Sequence, residues 1–259
     1  MLSETAASSS KRSVVPTSYS EAALVSVPRS VEDPIGTNDV NVGGTLSVLS
    51  AAREKGVRRV VLASSSAVYG DSPDTPKRED MTPNPLSPYA ATKYISEIYA
   101  KMYNDVYGLE TACLRYFNVY GPRQSPHSEY AAVIPKFICS VLDGVSPVIF
   151  GDGNQTRDFI YIDDVVEANW AAADMPGARG RNINIGCGQE HSVNELVALL
   201  KEVFGTDMRP EYRPPRKGDL VHSVASVEKL EQMLHCAPRV SLKEGLARTA
   251  EWFRKKRHP

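Results

Sequence analysis

The chain has 259 residues, 42% of them hydrophobic and 24% charged, with a formal net charge of -1. That length suffices for one large or two small domains with a packed core, and the near-neutral balance argues against nucleic acid or an acidic membrane as partner. Cys113, Cys139, Cys187 and Cys236 are widely spaced and form no Cys-x-x-Cys pair, which argues against a zinc site or disulfide framework and fits a reducing, cytosolic compartment; no apolar run approaches the roughly 20 residues a membrane helix needs.

Residues 1–20 are rich in Ser and Ala and carry Lys11 and Arg12, without the apolar core of a secretory signal. They read as an atypical, disordered stretch, and Glu4 argues against a transit peptide. From Glu21 onward short apolar strands alternate with amphipathic helices, which predicts an α/β fold built on a doubly wound parallel sheet. Arg59-Val60-Val61-Leu62-Ala63 is a buried-strand run. Ser87-Pro88 opens a helix, with Ser as N-cap and Pro at its first position. Its expected inward face is Ile95, Ile98, Tyr99, Met102, Tyr103 and Val106, and Gly108 stops it. A strand over 111–117 follows. In the second half the strands shorten, with candidates at 148–150 and 159–162 around a Gly-rich turn. Ser192-Val193-Asn194-Glu195 and Ser241-Leu242-Lys243-Glu244 each fit a capping box. The basic tail 254–257 reads as a solvated helix end.

Three motifs converge on chemistry. Ser64-Ser65-Ser66-Ala67-Val68-Tyr69-Gly70 follows a strand, Tyr89-Ala90-Ala91-Thr92-Lys93 opens the next helix, and Arg115-Tyr116-Phe117-Asn118-Val119-Tyr120-Gly121-Pro122 ends the next strand. In an open parallel sheet, ligands bind beyond the carboxyl ends of the strands. Tyr89 and Lys93 are four apart and share a helix face. A neighbouring ammonium favours a phenolate and lowers a pKa that is ordinarily near 10, so that Tyr89 could serve as a base. In isolation such a pair merely packs and solvates. Beside a triple-serine strand end and a Ser-Pro helix start it reads as a catalytic pair, with Ser65 or a neighbouring serine on the same substrate oxygen.

With these motifs, and with Gly-Asp-Gly followed by Arg-Asp and then Arg-x-Gly-Asp, the sequence resembles the extended short-chain dehydrogenases and, within them, the UDP-sugar 4-epimerases. The likeness runs from about Glu21 to the C-terminal helix. Residues 26–34 and 131–136 look most like the UDP-N-acetylglucosamine 4-epimerases. The resemblance implies a Rossmann-like dinucleotide domain over 21–130. It implies a smaller α/β substrate region over 131–259, some segments of which return to the first domain. It implies NAD as cofactor, a UDP-sugar as partner, and a cytoplasmic homodimer paired through residues 41–55 and 89–106. Ser65, Ser66, Tyr89 and Lys93 match the catalytic positions. Ala22, Ala23, Leu24, Asn41, Ser64, Tyr89, Lys93 and Phe117 match cofactor contacts. Ser65, Asn118, Ala132, Val133, Phe150, Arg157, Arg216, Asp219 and Ser223 match substrate contacts. Arg157 and Arg216 would clamp the diphosphate, and a small Ser223 would leave room for an N-acetyl group.

The sequence also departs from the family. No Gly-x-x-Gly-x-x-Gly or Gly-x-Gly-x-x-Gly lies near the N-terminus. Gly186-Cys187-Gly188 sits between a strand and a helix but lacks a third glycine, and falls in the substrate region by resemblance. Ala22-Ala23-Leu24 should end the family's fourth strand, after roughly 60 residues in about two βα units. The expectation is therefore a partial Rossmann-like sheet lacking its first βα units, a weak hold on NAD and an exposed sheet edge. The alternatives are a non-catalytic remnant that binds nucleotide sugar or a partner, a UDP-glucose 4-epimerase, or a UDP-glucuronate decarboxylase. The sugar dehydratases carry an Asp-Glu pair after the hydroxyl residue, where this chain has Ser66-Ala67.

Overall fold

A computed structural model describes residues 17–126, 133–215 and 222–257. Its central sheet is wholly parallel, in the order β1 (Thr17–Ser20), β2 (Arg59–Ser65), β3 (Glu110–Tyr116), then the later strand Arg181–Ile185. Between β1 and β2 run α1 (Val27–Glu32), α2 (Pro34–Asn38), a π-helical turn (Asp39–Gly43) and α3 (Gly44–Glu54). Helix α4 (Pro88–Tyr107) connects β2 to β3.

Successive residues of a strand face opposite sides, and both sides are covered here, which is why β2 reads as a continuous apolar run. Val60, Leu62 and Cys113 pack against Leu49 and Ala52 of α3 and Ala100 and Tyr103 of α4. Val61, Ala112, Leu114, Ile183 and Ile185 pack against α6 (Ile162–Asp174) and α8 (Glu228–Leu234). Arg59 opens β2 fully buried because its guanidinium is satisfied by Glu110 Oε2 and by the carbonyls of Ala172 and Met175.

The remaining elements make a smaller lobe. β4 (Asn118–Tyr120) pairs with β7 (Phe159–Tyr161), β5 (Val148–Phe150) with β10 (Glu211–Arg213), and β6 (Thr156–Arg157) with β9 (His191–Ser192). Helices α5 (Val133–Leu142), α7 (Val193–Phe204) and α9 (Leu242–Arg257) close around Tyr120, Phe137, Phe159, Leu196, Leu246 and Phe253. β8 (Arg181–Ile185) is the segment that returns to the main sheet. The capping box at Ser192 and Glu195 starts α7, and Ser241 Oγ accepts the Glu244 N–H at the start of α9. The basic tail does form the last turn of α9.

Three expectations are corrected. Residues 17–20 are an ordered strand, since their backbone pairs in register with residues 59–62. β1 therefore ends at Ser20, and Ala22, Ala23 and Leu24 form the loop beyond it. Third, α4 does not bury the stripe read from its apolar residues. Ile98 and Val106 are exposed, whereas Thr92, Lys93, Ser96 and Glu97 are buried. The face turned to the sheet is set by polar partners waiting at the strand ends. Tyr103 is core, with its hydroxyl 2.8 Å from Ser50 Oγ, and so is not available for a subunit contact. Among the described residues no strand pairs with the outer side of β1. Tyr19 of that strand meets the exposed Trp170 edge to face, with ring centroids 6.2 Å apart.

Candidate active site

β2 ends in Ser64 and Ser65, and a 3-10 turn (Ser66–Tyr69) follows at once. Ser65 caps that turn, its Oγ accepting the Ala67 N–H at 3.2 Å. Ser66, half-buried, is the turn's first residue. Gly70 closes it at φ +61, where a Cβ would fall 2.0 Å from the Asn84 carbonyl oxygen, so the chain can leave the strand end only through glycine.

Ser87 caps α4 through the Ala90 N–H at 3.1 Å, and Pro88 takes the first helical position. This start aims Tyr89 back at the β2 end. Its backbone N–H donates to Ser30 Oγ at 3.0 Å, and its phenol lies close enough to Ser65 for that hydroxyl to act on it. One turn on, Lys93 Nζ donates to Ala63 O at 2.8 Å. Ser65 thus meets Tyr89 and Lys93, which lie more than twenty residues further along the chain, at one strand end.

Their electrostatics differ from the sequence expectation. Burial pushes the Tyr89 phenol above its ordinary range, and the neighbouring Ser65 hydroxyl pulls it back in part. Burial likewise pushes Lys93 down, while Glu21 pulls it up. Desolvation opposes both charged forms, so a lowered tyrosine pKa is not what this arrangement displays.

The loop after β1 is held by Asn41, whose Oδ1 accepts the Leu24 N–H at 2.8 Å. Its Nδ2 donates to Leu24 O at 3.1 Å and to Thr92 Oγ1 at 3.0 Å. Asn41 sits in the π-helical turn, the kind of irregularity that re-aims a side chain. Its amide fixes the backbone at the β1 end, with Ala22 and Ala23 beside it. Ser64 turns to α4, its Oγ donating to Glu97 Oε1. Phe117 is buried in a cluster with Val68, Tyr69 and Ala225.

A cavity of about 240 Å³ opens in the smaller lobe, and Asn118, Val133, Phe150 and Arg157 all line it, together with Lys136 and Gln155. Asn118 Nδ2 donates to Asp158 O at 3.0 Å, and Arg157 Nη1 to Thr156 O at 2.8 Å. Ser223 is buried, with its carbonyl accepting the Asp158 N–H at 2.9 Å, and is not among the described residues lining this cavity. Ala132, Arg216 and Asp219 lie outside the described residues.

Three residues that the sequence reading passed over take part. Asp158 is fully buried and accepts the N–H groups of Cys187 at 2.7 Å, Gly188 at 2.9 Å and Ala225 at 3.1 Å. The Gly-Cys-Gly turn is thus an anion-binding loop whose anion is the protein's own carboxylate. Glu97 anchors α4. Glu21 lies at the end of β1, pulls on Lys93 and accepts from the Tyr116 hydroxyl at 3.1 Å. The spacing 89, 93, 97 is a usable signal for Glu97, and Asp158 belongs to the Arg-Asp motif although the motif does not reveal its burial; nothing in the sequence signals Glu21.

The groups gathered at the ends of β1 and β2 are an ammonium, a phenol and a fixed stretch of backbone amides. They fit the hydroxyl and carboxamide chemistry of a nicotinamide riboside. No group of three or more His, Cys, Asp or Glu that could hold a metal ion occurs among the described residues, and none of their helices is long and apolar enough to cross a membrane.

Comparison with known proteins gives one consistent family. The sequence profile described as "NAD dependent epimerase/dehydratase family" matches residues 14–186. UDP-glucose 4-epimerase of Mycolicibacterium smegmatis is 45% identical over 236 residues, covering 91% of this chain and 75% of that protein. The structure of UDP-N-acetylglucosamine 4-epimerase from Methanobrevibacter ruminantium, in complex with UDP-N-acetylmuramic acid, superposes with a TM-score of 0.89 at 40% identity. That match covers 92% of this chain and 77% of the other. UDP-glucose 4-epimerase from Thermotoga maritima with UDP-glucose also gives 0.89 at 40% identity, covering 93% and 78%.

Proposed function

Because this chain belongs to the NAD dependent epimerase/dehydratase family, we propose that it is a UDP-sugar 4-epimerase whose preferred pair is UDP-N-acetylglucosamine and UDP-N-acetylgalactosamine, acting as a cytoplasmic homodimer. The observation that carries the reading is the meeting of Ser65, Tyr89 and Lys93 at the end of β2. NAD, when bound, supplies a reversible hydride acceptor for C4 of the sugar. Ala22, Ala23, Leu24 and Lys93 would hold its nicotinamide end.

Tyr89 takes the proton of the sugar 4-hydroxyl and later returns it to the 4-keto intermediate after that sugar has turned over. Ser65, beside Tyr89, holds the same oxygen. Lys93 adds a positive charge that favours the phenolate against the opposing effect of burial. Asn118, Phe150 and Arg157 receive the UDP half, with the guanidinium of Arg157, and by resemblance Arg216, on the diphosphate. By resemblance Ser223, in the small position after Arg-x-Gly-Asp, would leave the volume an acetamido group needs, from a buried position that is not among the described residues lining the cavity. The M. smegmatis and T. maritima relatives, named for UDP-glucose, favour a second reading in which glucose and galactose are the pair.

The test is to incubate the protein with NAD and each UDP-sugar in turn and to resolve the epimers by chromatography. Interconversion of the N-acetyl pair is expected, with Tyr89→Phe slower on the order of a hundredfold or more. Near-full activity in that variant removes Tyr89 as base. Ser223→Tyr is expected to abolish use of the N-acetyl pair and spare UDP-glucose. Equal use of the N-acetyl sugars by both proteins removes Ser223 from the argument, and a wild type that interconverts only UDP-glucose and UDP-galactose establishes the second reading.

A further inference from the structure

Three successive residues of β2 reach three residues of α4 spaced four apart. Ala63 O accepts from Lys93 Nζ at 2.8 Å, Ser64 Oγ donates to Glu97 Oε1 at 2.5 Å, and Ser65 meets Tyr89. Residues at i, i+4 and i+8 lie on one helix face, so the strand end and the helix are joined by a single polar seam. Tyr89 and Lys93 occupy two of its places. Glu97 holds the third and is the most heavily bonded. Its Oε1 also accepts from Arg115 Nε at 2.9 Å, and its Oε2 accepts from Arg115 Nη2 at 2.7 Å and Asn182 Nδ2 at 2.8 Å. Glu97 and Arg115 are both almost wholly buried. Arg115 stands opposite Ser64 in the pairing of β2 with β3. It also donates to the Tyr69 hydroxyl at 2.9 Å, and Tyr69 donates in turn to Asn184 Oδ1 at 2.6 Å. The network therefore ties α4 to β2, β3 and β8 together.

A buried ion pair is a poor way to gain stability, since apolar residues of similar volume usually do as well. What it gives is direction. A carboxylate gripped by a two-nitrogen fork, an amide and a hydroxyl has one favourable position along the helix axis and one rotation about it. Apolar packing alone lets a helix settle over a wider range. We propose that Glu97 is a positioning residue for Tyr89. By locking α4 to the strand end, it sets where the Tyr89 phenol sits relative to Ser65. The proposal rests on Tyr89 as the base only in its consequence for rate; the placement of the phenol is a property of the protein alone.

Tyrosine carrying 13C at Cζ is incorporated into the full chain, and the Tyr89 resonance is assigned with Tyr89→Phe. Its position at neutral pH responds to the surroundings of the phenol, and Ser65→Ala gives the position it takes when the serine hydroxyl is removed from beside it. In Glu97→Gln, which keeps the shape but turns an amide NH2 toward the arginine donors, the resonance is expected to move to the Ser65→Ala position. Ser64→Ala, which leaves the ion pair intact, is expected to move it part of the way. Epimerisation is read in parallel. kcat should fall about tenfold in Glu97→Gln with KM changed by less than about twofold, since displacement of a reacting group costs turnover rather than binding. A Tyr89 resonance that stays at its wild-type place in folded Glu97→Gln, with only the melting temperature reduced, overturns the proposal. If Glu97→Gln does not fold, Ser64→Ala decides alone, an unmoved resonance again overturning it. A moved resonance in a protein that epimerises none of the sugars upholds the positioning role and defeats the proposed function, so the two failures are told apart.

Discussion

Asp158 has two oxygens and three backbone N–H groups to satisfy with them, in a place where its side chain sees no water. Asparagine is nearly the same size but keeps one acceptor and turns an NH2 toward a donor. Asp158→Asn is therefore expected to leave at least one buried N–H unpaired and to cost about 1–3 kcal/mol. A lower urea midpoint with an unchanged slope is the expected result; an unchanged midpoint means that the loop does not depend on this anion. The thiols make a second prediction. Burial raises the pKa of all four, that of Cys187 to about 12 and that of Cys113 further still. The thiolate is the reactive form, so alkylation of the native protein should be slow at neutral pH. Its rate should keep climbing through the range near 8.5 where a free cysteine levels off. Rapid labelling at neutral pH speaks against it. Ser65, Tyr89, Lys93 and Arg157 were legible in the sequence because each sits in a short motif whose spacing has a chemical meaning. Asp158 was written into the same Arg-Asp motif, but an aspartate in a loop ordinarily reads as solvated. Only its contacts with residues 187, 188 and 225, distant in the chain, show otherwise.

At the scale of elements, caps and strands were the legible part. Ser87, Pro88 and Gly108 bound α4 where their chemistry requires, and the long strands β2 and β3 lie within a residue or two of where their apolar runs put them. The inward face of α4 was not legible. Hydrophobic periodicity asks which residues avoid water and cannot register that Ser64, Arg115 and Asn182 wait across the gap for a carboxylate. Strands of two or three residues, such as β6 and β9, are too short to carry a period at all. One helix contact yields a sharp expectation. A Cβ on Gly245 of α9 would lie 2.1 Å from the Tyr120 hydroxyl oxygen. Tyr120 is rigid and buried, so α9 would have to shift. Gly245→Ala is expected to destabilise by about 1–3 kcal/mol, although alanine ordinarily favours a helix. Because Tyr120 also lines the cavity, binding of UDP should weaken in the same variant. Calorimetric unfolding and a UDP titration measure the two effects, and a melting temperature at or above wild type removes the clash.

The whole molecule is a parallel sheet with helices on both faces and a smaller lobe, whose cavity is lined in part by Asn118 and Val119 just beyond the carboxyl end of β3. The proposed pairing of subunits through α3 and α4 uses what these helices leave outside, with Ile98 and Val106, beside Tyr107, exposed on α4. Light scattering well above micromolar concentration should give a dimer, and Ile98→Lys combined with Val106→Lys a monomer with an unchanged circular dichroism spectrum. A wild-type monomer rules the pairing out. The exposed Trp170 beside β1 has one further consequence. The chain has two tryptophans; the other, Trp252, packs in the smaller lobe with its ring edge-on to Phe253. Each lobe therefore carries a single indole fluorophore, one facing water and one half sheltered. Replacing either leaves a protein whose emission speaks for one lobe, so that the order in which the two halves lose their structure is written in the colour of their light.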